Sequence, residues 1–140
     1  MKVKLMKPRA KLPVRANPTD AGADLIAPEY MIIEPHSSSF MGLGIAIELP
    51  PNTVGYIFAR SGIGSRNGIR PRNCVGVIDE KYFDEVGIMI ENSSDYQYCV
   101  RAGDKIAQLV ICPVLTPEFE EVDTLSKVED RQGGFGSTGW

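Results

Sequence analysis

The chain has 140 residues, a hydrophobic content of 43% and a formal net charge of -3. That is enough chain for one domain with a real core, and too little positive charge for broad, non-specific nucleic-acid binding. No apolar run nears the ~20 residues that span a bilayer. The opening "MKVKLMKPRAKLP" has no apolar signal-peptide stretch, so a cytoplasmic protein is expected, or a nuclear one if the source is eukaryotic or viral.

Strand periodicity dominates in chain order. "VKLM" and "YMIIE" read as short strands. In "FMGLGIAIEL", Met41, Leu43, Ile45, Ile47 and Leu49 alternate with Gly42, Gly44, Ala46 and Glu48. This predicts one half-buried strand with a small-residue outer face. "TVGYIFAR" repeats the pattern with Val54, Tyr56 and Phe58 on one side. A turn or two of helix is expected near "SGIGSRN". "VGIMIEN" and "KIAQLVICPV" are apolar enough to be buried on both sides, and "EFEEV" reads as a further short strand. Turn signals such as "NPTDAG", "EPHSSS", "LPPNT" and "RAGD" recur at the ~8–12-residue spacing of a sandwich, jelly roll or barrel. The ten prolines suit turns and sheet edges, not helix interiors. The expectation is an all-β domain over residues 1–128, a jelly roll or distorted barrel. A glycine-rich arm, residues 129–140, is expected not to pack by itself.

The side-chain inventory narrows the chemistry. Cys74, Cys99 and Cys112 form no C-x-x-C pair, so buried reduced thiols are expected rather than a disulfide framework or zinc ribbon. His36 is the single histidine and reads as a surface-loop residue. A multi-His zinc site or a Ser-His-Asp triad has almost no material. Acid–base work falls to a carboxylate or to water held by one.

Polar groups interrupt the apolar pattern in four places, and each has two readings. In "DAGADL", Asp20 and Asp24 flank Gly22, as a capped turn or as functional carboxylates. "ARSGIGSRNG" sets Arg60, Ser61 and Gly62 at a strand end, as a plain loop or as a phosphate cradle of backbone N–H groups. It lacks the dinucleotide and P-loop fingerprints. In "RNCVGVIDEKYFDEV", apolar residues run straight into Asp79, with Tyr82 three residues on. Asp79 either caps a turn or is held there for chemistry. Gln108 lies inside the apolar run of "RAGDKIAQLVICP", satisfied structurally or serving a ligand. The chain then stops at "DRQGGFGSTGW", where Arg131 and Phe135 sit among glycines.

Taken together, "DAGADL", "ARSGIG", "NCVGVIDEKY", "RAGDKIAQL" and "RQGGFGSTG" resemble, in order and spacing, the five motifs of the trimeric dUTP diphosphatase (dUTPase) family. The resemblance runs from Asp20 to Trp140. It implies a jelly-roll homotrimer with active sites shared between subunits, and hydrolysis of dUTP to dUMP and diphosphate with Mg²⁺ on the triphosphate. That reaction limits uracil in DNA and supplies dUMP for thymidylate synthesis. By the same resemblance Asp79 is the general base that primes water against the α-phosphorus. Ser61 and Gln108 hold the phosphate chain and the water, and Arg60 and Gly62 sit on the phosphates. Asn73 with the backbone of Gly76, Val77 and Ile78 reads uracil, and Tyr82 packs under the deoxyribose and leaves no room for a 2′-hydroxyl. Asp24 acts through water near the metal or sugar. Phosphates and waters, not protein side chains, ligate the Mg²⁺. In the arm, Phe135 stacks on uracil, Arg131 grips the γ-phosphate, and Gly136, Ser137 and Thr138 complete the cradle. Ordering about eight arm residues costs on the order of 10 kcal/mol, so the arm is expected to close only over a triphosphate.

The chain departs from the family pattern twice. "RQGGFG" has one residue fewer between Arg and Phe than R-G-x-G-G-F-G, and "YFDEV" replaces Tyr-Arg-Gly-Glu. Competing readings are a dCTP deaminase-like enzyme of the same fold, a non-enzymatic nucleotide sensor, and an RNA-binding glycine-rich arm. One Arg and one Phe are too few for the last.

Overall fold

The structure, a computed structural model, describes residues 1–125. The strands in chain order are β1 (Lys2–Leu5), β2 (Gly22–Ile26), β3 (Met31–Ile33), β4 (Ser37–Gly42), β5 (Ile45–Glu48) and β6 (Thr53–Phe58). The helix α1 (Ser61–Asn67) follows, then β7 (Ile69–Pro71), β8 (Val75–Ile78), β9 (Gly87–Asn92), β10 (Tyr98–Val100) and β11 (Lys105–Pro113). They form a four-stranded sheet β2-β11-β6-β8, a three-stranded sheet β4-β9-β7, and the pairs β1-β5 and β3-β10. Every pairing is antiparallel. One core collects Leu25, Ile57, Ile78 and Leu109 from the large sheet, Met41, Ile69, Ile88 and Ile90 from the second, and Ile33, Ile45, Ile47 and Val100 from the pairs. This is the expected all-β jelly roll. Among the described residues, no helix is long and apolar enough to cross a membrane.

Several local expectations need correction. The run from Phe40 to Leu49 is two strands in two sheets, because the chain turns at Gly44, where φ is +68°. A Cβ at Gly44 would lie 2.9 Å from the Ala10 Cβ and 3.0 Å from the Lys7 Cβ. Gly44→Ala is therefore expected to cost about 1–3 kcal/mol, measured as a lower denaturation midpoint. In β6 the core side is Gly55 and Ile57, while Tyr56 and Phe58 are half-exposed on the other face. β9 is buried on one face only, with Met89 exposed. β11 is buried on both faces only from Ile106 to Ala107, with Leu109 on the core side. Part of the "EPHSSS" turn is strand, since Ser37–Ser39 open β4. Residues 118–122 form no strand. Phe119 is fully exposed there, and among the described residues nothing pairs with the segment. The cysteines are not buried: Cys74 and Cys99 are exposed and Cys112 is half-buried. Cys74 occupies a left-handed turn position, φ +64°.

Other expectations hold. The short helix spans Ser61–Asn67 and stops at Gly68 in the left-handed conformation. His36 sits on a surface turn beside Asp95. Buried Asn92 is fully bonded, donating to the Ile33 and Tyr96 carbonyls and accepting from Ser94. The residues 129–140 expected to form a separate arm lie outside the described residues.

Candidate active site

Strand β8 is the last strand of its sheet. One backbone edge pairs with β6, and among the described residues no strand pairs with the other. Along it lies a cleft of about 230 Å³, lined by Ile57, Asn73, Gly76, Val77, Ile78, Asp79, Tyr82, Val86 and Gly87. Six of these are residues singled out from the sequence. A second cleft of about 270 Å³ shares Ile57, Asn73, Gly76 and Gly87 and runs on to Arg72 and Met89.

Local chemistry explains the opening. A Cβ at Gly76 would press on the Ile57 Cβ at 3.1 Å and stand 3.6 Å from Asn73 Nδ2, closing the cleft floor. At Gly87 a Cβ would collide with the Phe40 ring. Beyond β8 the chain turns, with the Tyr82 N–H donating to the Asp79 carbonyl at 3.1 Å. The Tyr82 hydroxyl donates to the Glu85 carbonyl at 3.0 Å. This fixes an exposed ring at the cleft wall, with the exposed Asp79 carboxylate beside it.

The other candidates gather elsewhere. Arg60 Nε donates to Asp24 Oδ1 at 2.6 Å, and Lys105 Nζ pairs with Asp24 Oδ2 at 2.8 Å. Gln108 Nε2 donates to the Ala59 carbonyl at 2.9 Å, and its side chain covers Gly22, where a Cβ would strike it. Ser61 opens α1 immediately after Arg60, and Gly62 is exposed with open space where a Cβ would go. Burial raises the Asp24 carboxyl's pKa and is the largest single influence. The hydrogen bonds and charges of Lys105 and Arg60 together outweigh it and hold the group below the usual carboxylate range. The folded pKa is thus below the unfolded one. The pair's stabilisation is present above pH ~3.8 and is lost as pH falls through the folded value. Asp24→Asn is expected to lower stability by about 1 kcal/mol at pH 7, with Lys105 discounted because it is 42% exposed. The difference from wild type should vanish toward pH 2 in acid titrations of stability.

The two groups are far apart in one chain. Ile78 pairs with Gly55 and Val75 with Phe58, so Asp79 falls level with Val54. Gln108 is level with Phe58, four strand residues away, or roughly 13 Å, and Arg60 is six away, or roughly 20 Å. One chain does not bring Ser61 and Gln108 to Asp79. Arg131, Phe135, Gly136, Ser137 and Thr138 lie outside the described residues. Lys105, Gly87 and Ile57 were missed in the sequence. Lys105 stood inside a recognised motif, but only pairing reveals its contact with Asp24. Among the described residues, no three His, Cys, Asp or Glu side chains converge as a metal-binding set.

The described residues thus present an all-β sandwich with a small cleft along the edge of β8 and a separate cluster of Asp24, Arg60, Lys105 and Gln108. The dUTPase family model matches residues 8–139, and the chain belongs to the dUTPase family. It is 45% identical over 139 residues to a deoxyuridine 5'-triphosphate nucleotidohydrolase of Clostridium tetani, covering 99% of this chain and 96% of the relative. It is 44% identical to that of Gloeothece citriformis, with the same coverage. Among solved structures it is similar to the dUTPase of Staphylococcus bacteriophage 80alpha with dUpNHpp. There the TM-score is 0.91 at 31% identity, covering 99% of this chain and 98% of that one. It is also similar to a D95N mutant of the phage phi11 dUTPase described as coordinating a structural Mg(II) ion, with a TM-score of 0.81, 30% identity and coverage of 88% and 96%.

Proposed function

We propose that this chain hydrolyses dUTP, as its Mg²⁺ complex, to dUMP and diphosphate, with Asp79 as the general base. The observation that carries the reading is the cleft on the free edge of β8. It places Asn73, Gly76, Val77 and Ile78 beside Tyr82 and Asp79. Uracil offers an N–H donor and a carbonyl acceptor, and a free strand edge offers both complements. Cytosine reverses that pattern, and a site built for hydrogen bonds can reject the wrong partner by ~10⁴-fold. The Tyr82 ring, anchored through its hydroxyl, packs under the deoxyribose and excludes a 2′-hydroxyl. Asp79 takes a proton from the water attacking the α-phosphorus, and the P–O bond to the leaving diphosphate breaks.

Ser61, Gly62, Arg60 and Gln108 hold the phosphate chain, with Asp24 and Lys105 fixing the Arg60 guanidinium. Asp24 is engaged by two cations, which suits an orienting role better than metal ligation. The Mg²⁺ enters as part of the substrate. The reading assigns Phe135 to uracil, Arg131 to the γ-phosphate, and Gly136, Ser137 and Thr138 to the phosphate cradle, all in an arm, residues 129–140, that closes the site.

The distance between the halves favours a homotrimer in which one subunit supplies the β8 cleft and another the Ser61–Gln108 cluster. The exposed apolar side chains of Leu115, Phe119 and Leu125 suit contact with a neighbouring copy, as does the outward face of Tyr56 and Val77. Diphosphate release across dUTP, UTP, dCTP and dTTP tests the function: dUTP alone should react. Ammonia release from dCTP would establish the deaminase alternative instead.

A nucleotide-sensing role is the second reading. It is favoured by the description of the phage dUTPases as controlling transfer of virulence genes by a G protein-like mechanism. An Asp79→Asn protein that binds dUTP and keeps every cellular effect supports it.

A further inference from the structure

The loop between β8 and β9 is tied down outside the cleft near both of its ends. The Asn52 N–H donates to Glu80 Oε2 at 2.8 Å near the start, and Glu85 makes the tie beside the Tyr82 acceptor. The Glu85 carboxylate leaves the loop and enters a socket built by Lys7, by Gly42 at the end of β4 and by Gly44 in the turn before β5. Its Oε1 accepts the Gly44 N–H at 2.8 Å and the Lys7 ammonium at 2.7 Å. Gly44 presents that N–H because its φ is +68°. Gly42 makes the space, since a Cβ there would lie 2.5 Å from Glu85 Oε1. The Lys7 hydrogen bond and then the Gly44 N–H keep the Glu85 carboxyl below the usual carboxylate range, against the effect of burial. The next residue, Val86, is clamped on both sides: its N–H donates to the Ile45 carbonyl at 2.8 Å and its carbonyl accepts from Leu43 at 2.9 Å. On the cleft side, the Glu85 carbonyl accepts the Tyr82 hydroxyl and the Tyr82 N–H donates to the Asp79 carbonyl.

We infer that Glu85, seated against Gly44 and Lys7, is a positioning residue that sets the place of the Tyr82 ring, and through it the discrimination of deoxyribose from ribose. The inference rests on the dUTPase reading above. A carboxylate that served only to hold the fold together would need no link to the cleft. Here the same residue bonds the socket through its side chain and the selecting ring through its backbone. The Glu85 carbonyl is held from two sides, by the seated carboxylate through the residue's own Cα and by the Val86 N–H to Ile45 bond through the shared peptide. Withdrawing the carboxylate therefore removes one of the two holds on the acceptor that fixes Tyr82. A misplacement of ~1 Å in a reacting geometry can cost ~10²-fold.

The test compares kcat and KM for dUTP and UTP in wild type, Glu85→Ala, Glu85→Gln, Lys7→Met and Gly42→Ala, with thermal melting alongside. Gly42→Ala expels the carboxylate without altering the loop and stands in if Glu85→Ala does not fold. Expected for Glu85→Ala and Gly42→Ala is a fall of ten- to a hundredfold in the dUTP-over-UTP ratio of kcat/KM. Glu85→Gln, which keeps an acceptor for Gly44, should recover most of it, and Lys7→Met should fall between. Adding Tyr82→Phe to Glu85→Ala should cause little further loss, because both cut the same link. Melting points that drop while the ratio stays at the wild-type value in both Glu85→Ala and Gly42→Ala overturn the inference and leave the dUTPase reading standing. A wild-type protein that turns over no dUTP removes both.

Discussion

Asp79→Asn is expected to lower dUTP turnover by about 10²–10⁴-fold, the usual contribution of a positioned acid–base group. Melting temperature and dUTP affinity should change little. Asp79 is exposed at the cleft, one residue past the end of β8, so an isosteric amide disturbs no core packing. On the proposed mechanism the amide has no basic oxygen to take the proton of attacking water, while the contacts proposed for Asn73 and the strand edge are untouched. Single-turnover rates together with binding of a non-hydrolysable analogue separate the two effects. Undiminished turnover would remove Asp79 from the chemistry.

Mixing two dead variants is expected to restore activity. Asp79→Asn spoils the β8 half of the site, and Gln108→Ala spoils the other half. These halves are four or more strand residues apart within a chain, so in the proposed shared site they come from different copies. In randomly assembled 1:1 mixed trimers, about a quarter of the sites pair an intact Asp79 with an intact Gln108. Activity after denaturation and joint refolding should rise well above that of either variant alone, toward about a quarter of wild type. Refolding each alone is the control. Mixtures no more active than their components would show that each chain completes its own site, against the shared-site proposal.

How much was legible in the sequence varied with the range of the interaction. The helix at Ser61–Asn67 was visible because its stop signal, Gly68, is local. The β8 stretch was visible as an apolar run ending in a carboxylate. The single strand expected from Phe40 to Leu49 was wrong because period two continues across Gly44, and only the crowding by Ala10 and Lys7 shows why the chain bends there. The face of β6 was misjudged for a similar reason. Alternation separates Tyr56 from Ile57 but does not say which of them meets Leu109 and Ile78. Residues 118–122 have a strand's composition and no strand, since a β-strand is a relation to a partner. Exposure of Cys74 and Cys99 follows from turn and edge positions, which residue type does not report.

By itself the sequence determined the class of fold, the five ordered motifs and the residue types available for chemistry, because periodicity, turn residues and motif spacing are properties of neighbours along a chain. Tertiary structure decided which face of each strand met the core and which cations hold Asp24. It also decided that the Glu85 carboxylate meets Gly44 and Lys7, and that the β8 cleft stands apart from the Ser61–Gln108 cluster. Those are matters of strand partner and register, settled by contacts between residues tens of positions apart, and no short stretch of sequence encodes them.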